Sequence, residues 1–198
     1  MTYKGVSLFS GCGGLDLGFE RVDDFLNKKP EEKYFEIVWA NDIDEDAVNT
    51  YVKNFKFNKY KNPDKRCSME TKNIYNGDIR KINFKDILNK KEIDFVLGGF
   101  PCQDFSILRG GEKRKGIKVK RGELYLQFVR ALVELQPEFF VAENVKGLKS
   151  ANNGLAFKQI KNDFQHLHEN WLELRERMNV NYKLPESTGN YKLLFSKI

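Results

Sequence analysis

A cysteine at the end of an apolar run is the first residue in this chain with chemistry to offer. Ile93-Asp94-Phe95-Val96-Leu97 leads through Gly98-Gly99-Phe100 into Pro101-Cys102-Gln103-Asp104-Phe105-Ser106. The run reads as a buried strand, and the proline stiffens the turn after it. Ligands of open α/β sheets sit beyond the carboxyl ends of the strands, so the Cys102 thiol stands where chemistry is done. As thiolate it is a strong nucleophile. An unperturbed pKa near ~8.5 leaves it mostly protonated at neutral pH, so a neighbour must assist. A lone cysteine is ordinarily a small buried hydrophobe, but the proline, glutamine and serine around this one suit an exposed loop.

A second set of residues has the makings of a nucleoside site. Phe9-Ser10-Gly11-Cys12-Gly13-Gly14 follows an apolar strand, and Asp16 stands just inside the next helix. The dinucleotide fingerprint G-x-G-x-x-G would need glycine at position 16, and an acid there is a poor host for pyrophosphate; a cationic or neutral cofactor fits better. Asn41-Asp42-Ile43 ends a second strand, with an acid placed for a ribose diol and an apolar residue to cover a purine. Gly77-Asp78-Ile79 ends a third, with an acid placed for an adenine amino group. One aspartate at a strand end is ordinarily a helix cap, but three strand ends in order make a site. Phe139-Phe140-Val141-Ala142-Glu143-Asn144-Val145 then carries Glu143 to the same sheet edge, beside the strand that presents Cys102. A partly buried carboxyl there can hold or give a proton at a ring nitrogen, although Glu143 also reads as a helix cap.

The elements that must position these residues alternate. Strands are expected at Gly5–Phe9, Phe35–Ala40, Asn73–Tyr75, Ile93–Leu97, Phe139–Ala142 and Tyr191–Ser196. Helices are expected from Leu15 to about Leu26, Glu45 to about Asn54, Phe84 to Leu88, Gly122 to Leu135, and as one long charged helix from Leu155 to Met178. This β-α alternation predicts an α/β fold, a parallel sheet with helices on both faces. Asn27–Lys33 and Lys56–Lys72 read as polar insertions, not as domain linkers.

The 198 residues suit one domain, and the formal charge is +6. That charge has an address. Arg109, Lys113, Arg114, Lys115, Lys118, Lys120 and Arg121 face a single acid, Glu112, in a glycine-punctuated loop directly after Cys102. A charge run is ordinarily a solvated face; its position makes this one a candidate strap over a polyanion. Cys12, Cys67 and Cys102 form an odd set without C-x-x-C spacing, which argues against a disulfide framework and a zinc site, so no metal is expected. His166 and His168 read as solvated residues. No run approaches a membrane span and no signal-peptide pattern opens the chain, so a cytoplasmic protein is expected.

Taken in order, Phe9-Ser10-Gly11-Cys12-Gly13-Gly14, Asn41-Asp42, Gly77-Asp78-Ile79, Gly99-Phe100-Pro101-Cys102-Gln103, Arg121-Gly122 and Glu143-Asn144-Val145 resemble the motifs of the C5-cytosine DNA methyltransferases. The resemblance runs from about Gly5 to Gly147. It implies a Rossmann-like methyltransferase fold and S-adenosylmethionine held by Phe9, Cys12, Gly14, Asp42, Ile43, Asp78, Ile79, Pro101 and Leu124. It further implies that Cys102 attacks C6 of a cytosine flipped from double-stranded DNA while Glu143 stabilises protonated N3. C5 then takes the methyl group and loses its proton as the thiol departs. Gln103, Ser106 and Arg121 match positions facing DNA or the flipped nucleotide, and Arg109, Lys113, Arg114 and Lys115 of the basic loop join them as candidate phosphate contacts.

Beyond Val145 the family pattern stops. Family members continue to a Gln-x-Arg-x-Arg motif, a base-reading region and a returning C-terminal helix. Residues 1–198 are therefore expected to be an incomplete catalytic and cofactor-binding domain, needing a second polypeptide or a longer chain, in the setting of a restriction-modification system. An apolar sheet edge near Tyr191–Ser196 is expected to mark the docking place. A tRNA cytosine methyltransferase, a non-catalytic nucleic-acid-binding remnant and a cysteine hydrolase are the competing readings; the last lacks a histidine near Cys102.

Overall fold

The computed structural model describes residues 2–22, 33–67, 71–87, 93–101, 124–181, 183–184 and 191–193. They fall into two compact units: Met1–Gly99 with Glu134–Glu143, and Phe100–Val133 with Asn144–Ile198.

The first unit carries the sheet. Its elements are β1 (Tyr3–Leu8), α1 (Gly14–Glu20), β2 (Phe35–Asp42), α2 (Glu45–Phe55), β3 (Asn58–Tyr60), β4 (Asn73–Asn76), α3 (Phe84–Ile87), β5 (Phe95–Gly98) and β6 (Phe139–Ala142). The six strands lie in the order β3-β4-β2-β1-β5-β6, and every pairing is parallel. From β1 the chain builds outward through β2 to β4, then returns to lay β5 on the other side of β1. Strand order therefore reverses between β1 and β5, the topological switch point at whose carboxyl ends such sheets bind ligands.

The two ends of the strands do different work. At the amino ends, Tyr3, Phe35, Phe95 and Phe139 open four neighbouring strands and meet as one aromatic cluster with Phe19 of α1. Phe95 and Phe139 stack with ring centroids 5.3 Å apart and planes 9° from parallel. Pairs of this kind add about 0.5–1.5 kcal/mol each beyond their burial. Gly5 belongs to this arrangement: a Cβ at that position would overlap the Phe95 ring. An aromatic cluster thus closes the amino ends, while the carboxyl ends carry glycines and acids.

α2 is capped at both ends. Asp44 accepts a hydrogen bond from the Ala47 amide at 2.8 Å, Glu45 and Asp46 lie in the first turn, and Lys56 ends the helix in the left-handed region. Lys59 and Lys61 both reach Glu45, at 2.9 and 3.0 Å, and hold its carboxyl down at about 2.

Three expectations about elements need correction. The segment read as a polar insertion contains β3, which pairs with β4 at the sheet edge; buried Phe57 and Tyr60 anchor it, the latter accepting a hydrogen bond from Trp39 Nε1 at 2.8 Å. The long helix from Leu155 is two helices, α5 (Leu155–Gln165) and α6 (Trp171–Met178). The break lets Arg177 of α6 return to Asp163 of α5 at 3.2 Å; Tyr125 also donates to this buried carboxylate, at 2.7 Å. Tyr191–Leu193, the described part of the last expected strand, is not strand. Among the described residues the sheet ends at β6 instead.

The second unit contains α4 (Leu124–Leu135) as far as Val133, together with α5 and α6. Phe100 is buried there, among the rings of Tyr125, Phe128 and Phe164. No helix among the described residues is long and apolar enough to cross a membrane.

Candidate cofactor and catalytic site

The loop after β1 is built on left-handed backbone. Phe9, Gly11 and Gly13 have φ of 55°, 55° and 91°. For a bulky residue such as Phe9 that conformation is strained, and strain of this kind gathers at ligand-binding loops. The Gly13 amide donates to Ser10 O and the Ser10 amide to Asn41 O, both at 2.9 Å, so the loop folds back against the end of β2. A side chain at Gly13 would run into the rings of Phe55 and Tyr51, whereas a Cβ at Gly11 or Gly14 would meet nothing within 4 Å. One face of the loop is wedged on α2. The other is open to a ligand.

Asp42 latches this loop. Its Oδ2 accepts from the Gly11 amide at 2.8 Å and its Oδ1 from the Asp44 amide at 2.9 Å. Each oxygen keeps acceptor capacity for a diol. Ile43, next along, is an aliphatic side chain 70% exposed. Asn41 is buried and donates to Tyr75 O at 3.0 Å and Gly77 O at 2.9 Å, tying the ends of β2 and β4 together. Asn76 donates across the same gap to Ile43 O at 3.2 Å. Asp78 is gripped by Arg80, whose Nε lies 2.9 Å from both carboxylate oxygens, and this holds its carboxyl below the ordinary range. Ile79 is buried in the short 3₁₀ turn Ile79–Lys81.

On the other side of β1, the Glu143 amide donates to Gly98 O at 3.0 Å, which fixes Glu143 beside the end of β5. Its Oε2 passes over Gly99, where a Cβ would stand 3.1 Å from it. Glu143 is exposed and caps no helix, which corrects the expectation of a partly buried carboxyl. In the second unit, Asn144 Nδ2 donates to Phe100 O at 2.8 Å and so fixes the backbone just before Pro101. Pro101 is exposed and Leu124 half-buried. Cys102, Gln103, Ser106, Arg109, Lys113, Arg114, Lys115 and Arg121 lie outside the described residues.

Phe9, Cys12, Gly14, Asp42, Ile43, Asp78 and Ile79 are thus gathered at the carboxyl ends of the adjacent strands β1, β2 and β4. The thiol of Cys12 is exposed and free. Sequence reasoning missed the positioning amides Asn41, Asn76 and Asn144, although two of them adjoin acids in the quoted motifs. It read Asp16 only as an obstacle to pyrophosphate.

A Rossmann-like sheet with a glycine loop at its switch point and acids on the next two strands defines the fold of S-adenosylmethionine-dependent methyltransferases. Solved structures agree on the fold: the Schizosaccharomyces pombe Dnmt2 methyltransferase matches with a TM-score of 0.52 at 18% identity, over 83% of this chain and 41% of that one. The Entamoeba histolytica methyltransferase EhMeth matches at 0.50 and 21%, over 82% and 43%. The model of the C-5 cytosine-specific DNA methylases matches residues 3–168, and the chain belongs to that family. It is 42% identical over 198 residues to the DNA (cytosine-5-)-methyltransferase M.ApeKI of Aeropyrum pernix, and 40% identical over 163 residues to the type II methyltransferase M.NgoFVII of Neisseria gonorrhoeae. These alignments take in 99% and 82% of this chain but 40% and 36% of those proteins, so the chain spans well under half their length.

Proposed function

We propose that this chain binds S-adenosylmethionine and transfers its methyl group to C5 of cytosine in double-stranded DNA, in the setting of a type II restriction-modification system. The observation that carries the reading is the glycine loop latched by Asp42 at the switch point, with Glu143 held at the end of β5, the strand beside β1. The residues suit the cofactor. Gly11 and Gly14 leave space, exposed Ile43 can cover a planar group, and the Asp42 carboxylate, which accepts only from backbone amides, suits a diol and a cation.

When bound, the cofactor supplies an electrophilic methyl group on a sulfonium. Cytosine C5 is too electron-poor to take it until the ring is activated. In this reading the Cys102 thiolate forms a bond to C6, and Glu143 hydrogen-bonds to N3 in its protonated state, so the electron pair accumulates at C5. After C5 is methylated, it loses its proton and the C6–S bond breaks, which regenerates the thiolate. Asn144 is a positioning residue, acting through the Phe100 backbone. Access to C6 requires the base out of the stack, at a few kcal/mol that phosphate contacts offset. We place base recognition in the part of the relatives' length that this chain does not span.

Two measurements test the parts separately. Calorimetry of the chain with S-adenosylmethionine is expected to lose about ten- to hundred-fold in affinity for Asp42→Ala, because a charge-assisted hydrogen bond and the loop latch go together. Asp42→Asn, which keeps one acceptor, should recover part of this; unchanged affinity in Asp42→Ala would remove the residue from the site. For DNA, replacing Lys113, Arg114 and Lys115 together should weaken binding and flatten its salt dependence by about 0.9 in log–log slope per lost phosphate contact. An unaltered slope would make the loop a solvated surface.

A further inference from the structure

We propose that Asp16 is the specificity-determining residue by which this site prefers cationic S-adenosylmethionine over its neutral demethylated product. The inference rests on the cofactor reading above. Asp16 sits in the first turn of α1, immediately beneath the glycine loop, and is 1% exposed. Its Oδ1 accepts from Ser7 Oγ of β1 at 2.7 Å, which fixes the carboxyl. Its Oδ2 is buried with no hydrogen-bond partner, and so is the hydroxyl of Tyr51, which faces it from α2. Tyr51 is also a ring on which Gly13 is wedged, so the carboxyl, the tyrosine and the loop form one packed unit.

Among the described residues no cation compensates this carboxylate. The other charged group that acts on it is Glu20 of the same helix, of like sign, and Glu20 is itself engaged by Lys72 at 2.7 Å. Burial pushes the Asp16 carboxyl up to about 6, against the hydroxyls of Ser7 and Tyr51, which favour its ionised form. A buried anion without a countercharge is costly, and a cation arriving at the loop above it relieves part of that cost. The product lacks the sulfonium charge and relieves less of it. By reciprocity, whatever ionised Asp16 adds to the affinity for the cation, the cation adds to the ionisation of Asp16.

The test is calorimetric affinity of the chain for S-adenosylmethionine and for S-adenosylhomocysteine, compared between about pH 8 and about pH 5. The ligands share an α-amino group, so its titration largely cancels in the ratio. In the wild type the preference for the cation is expected to fall on the order of five-fold or more on acidification. Asp16→Asn should show the low preference at both pH values while still binding the product, which also reports that it is folded. Ser7→Ala, which removes a hydrogen bond that favours the ionised form, should move the transition to higher pH, and it serves if Asp16→Asn does not fold. A preference that ignores pH in the wild type, or that survives in Asp16→Asn, would overturn the role of Asp16 alone. A wild type that binds neither ligand would overturn the cofactor reading with it.

Discussion

Replacing Cys102 with serine is expected to abolish the covalent complex with DNA and to lower methyl transfer about a thousand-fold or more. A serine hydroxyl is far less ionised than a thiol, so attack on C6 fails even with the base in place. The measurement uses a mixed-sequence duplex containing 5-fluorocytosine, with labelled cofactor. Fluorine at C5 cannot leave as a proton does, so the C6–S bond persists once formed and the complex withstands denaturation. Glu143→Gln should keep binding DNA and cofactor yet form the complex about a hundred-fold more slowly, because proton delivery to N3 is lost. An adduct that survives Cys102→Ser would remove the nucleophile from this mechanism. Adduct at a single defined sequence, made by this chain alone, would move base recognition into these residues.

The parts of the site that were legible in the sequence are those where a strand and its terminal residues carry one message. Phe35–Asp42 reads as an apolar run ending in an amide and an acid, and the structure puts that end beside the glycine loop and beside Gly77. The repeated β-α alternation along the chain announced a parallel sheet, and a parallel sheet brings each of these strand ends to the same edge. β5 and β6 were expected as neighbours, and they pair from Phe95 with Phe139 to Gly98 with Ala142.

What local pattern could not reveal depends on partners far away in the chain. Asn58-Lys59-Tyr60 has no strand alternation to read; it is a strand because Tyr60 meets Trp39 and the backbone pairs with β4. Leu155–Met178 has helical periodicity throughout, and the interruption at His166–Asn170 accompanies the return of Arg177 to a carboxylate shared with Tyr125, a residue 38 positions before Asp163. The Asn144 side chain sits next to an expected catalytic acid, yet its partner is a carbonyl 44 residues earlier. Asp16 is the sharpest case. On a helical wheel an acid in a first turn is a solvated dipole partner, and only its neighbours Ser7 of β1 and Tyr51 of α2 show it to be a buried charge.

That burial makes Asp16 a stability liability with a predictable pH signature. The carboxyl titrates at about 6 in the folded chain against an ordinary value of 3.8. Between those values the folded state binds the extra proton, so stability falls as pH rises through this window, and the full cost, on the order of 3 kcal/mol, is present above the folded value. Below about pH 4 the group is protonated in both states and the cost vanishes. Asp16→Asn keeps an acceptor for Ser7 and offers Tyr51 a donor in place of the orphaned oxygen. It is therefore expected to melt several degrees higher than the wild type at about pH 7.5, and at the same temperature as the wild type near pH 4. Exposed groups such as Glu45, whose carboxyl titrates low, are common to both proteins and cancel in the difference. Thermal denaturation of the two proteins across this range is the measurement, and a gap independent of pH would mean that Asp16 is not an ionised buried group. The expected gain in stability comes with the loss of cation preference, because the same uncompensated charge accounts for both.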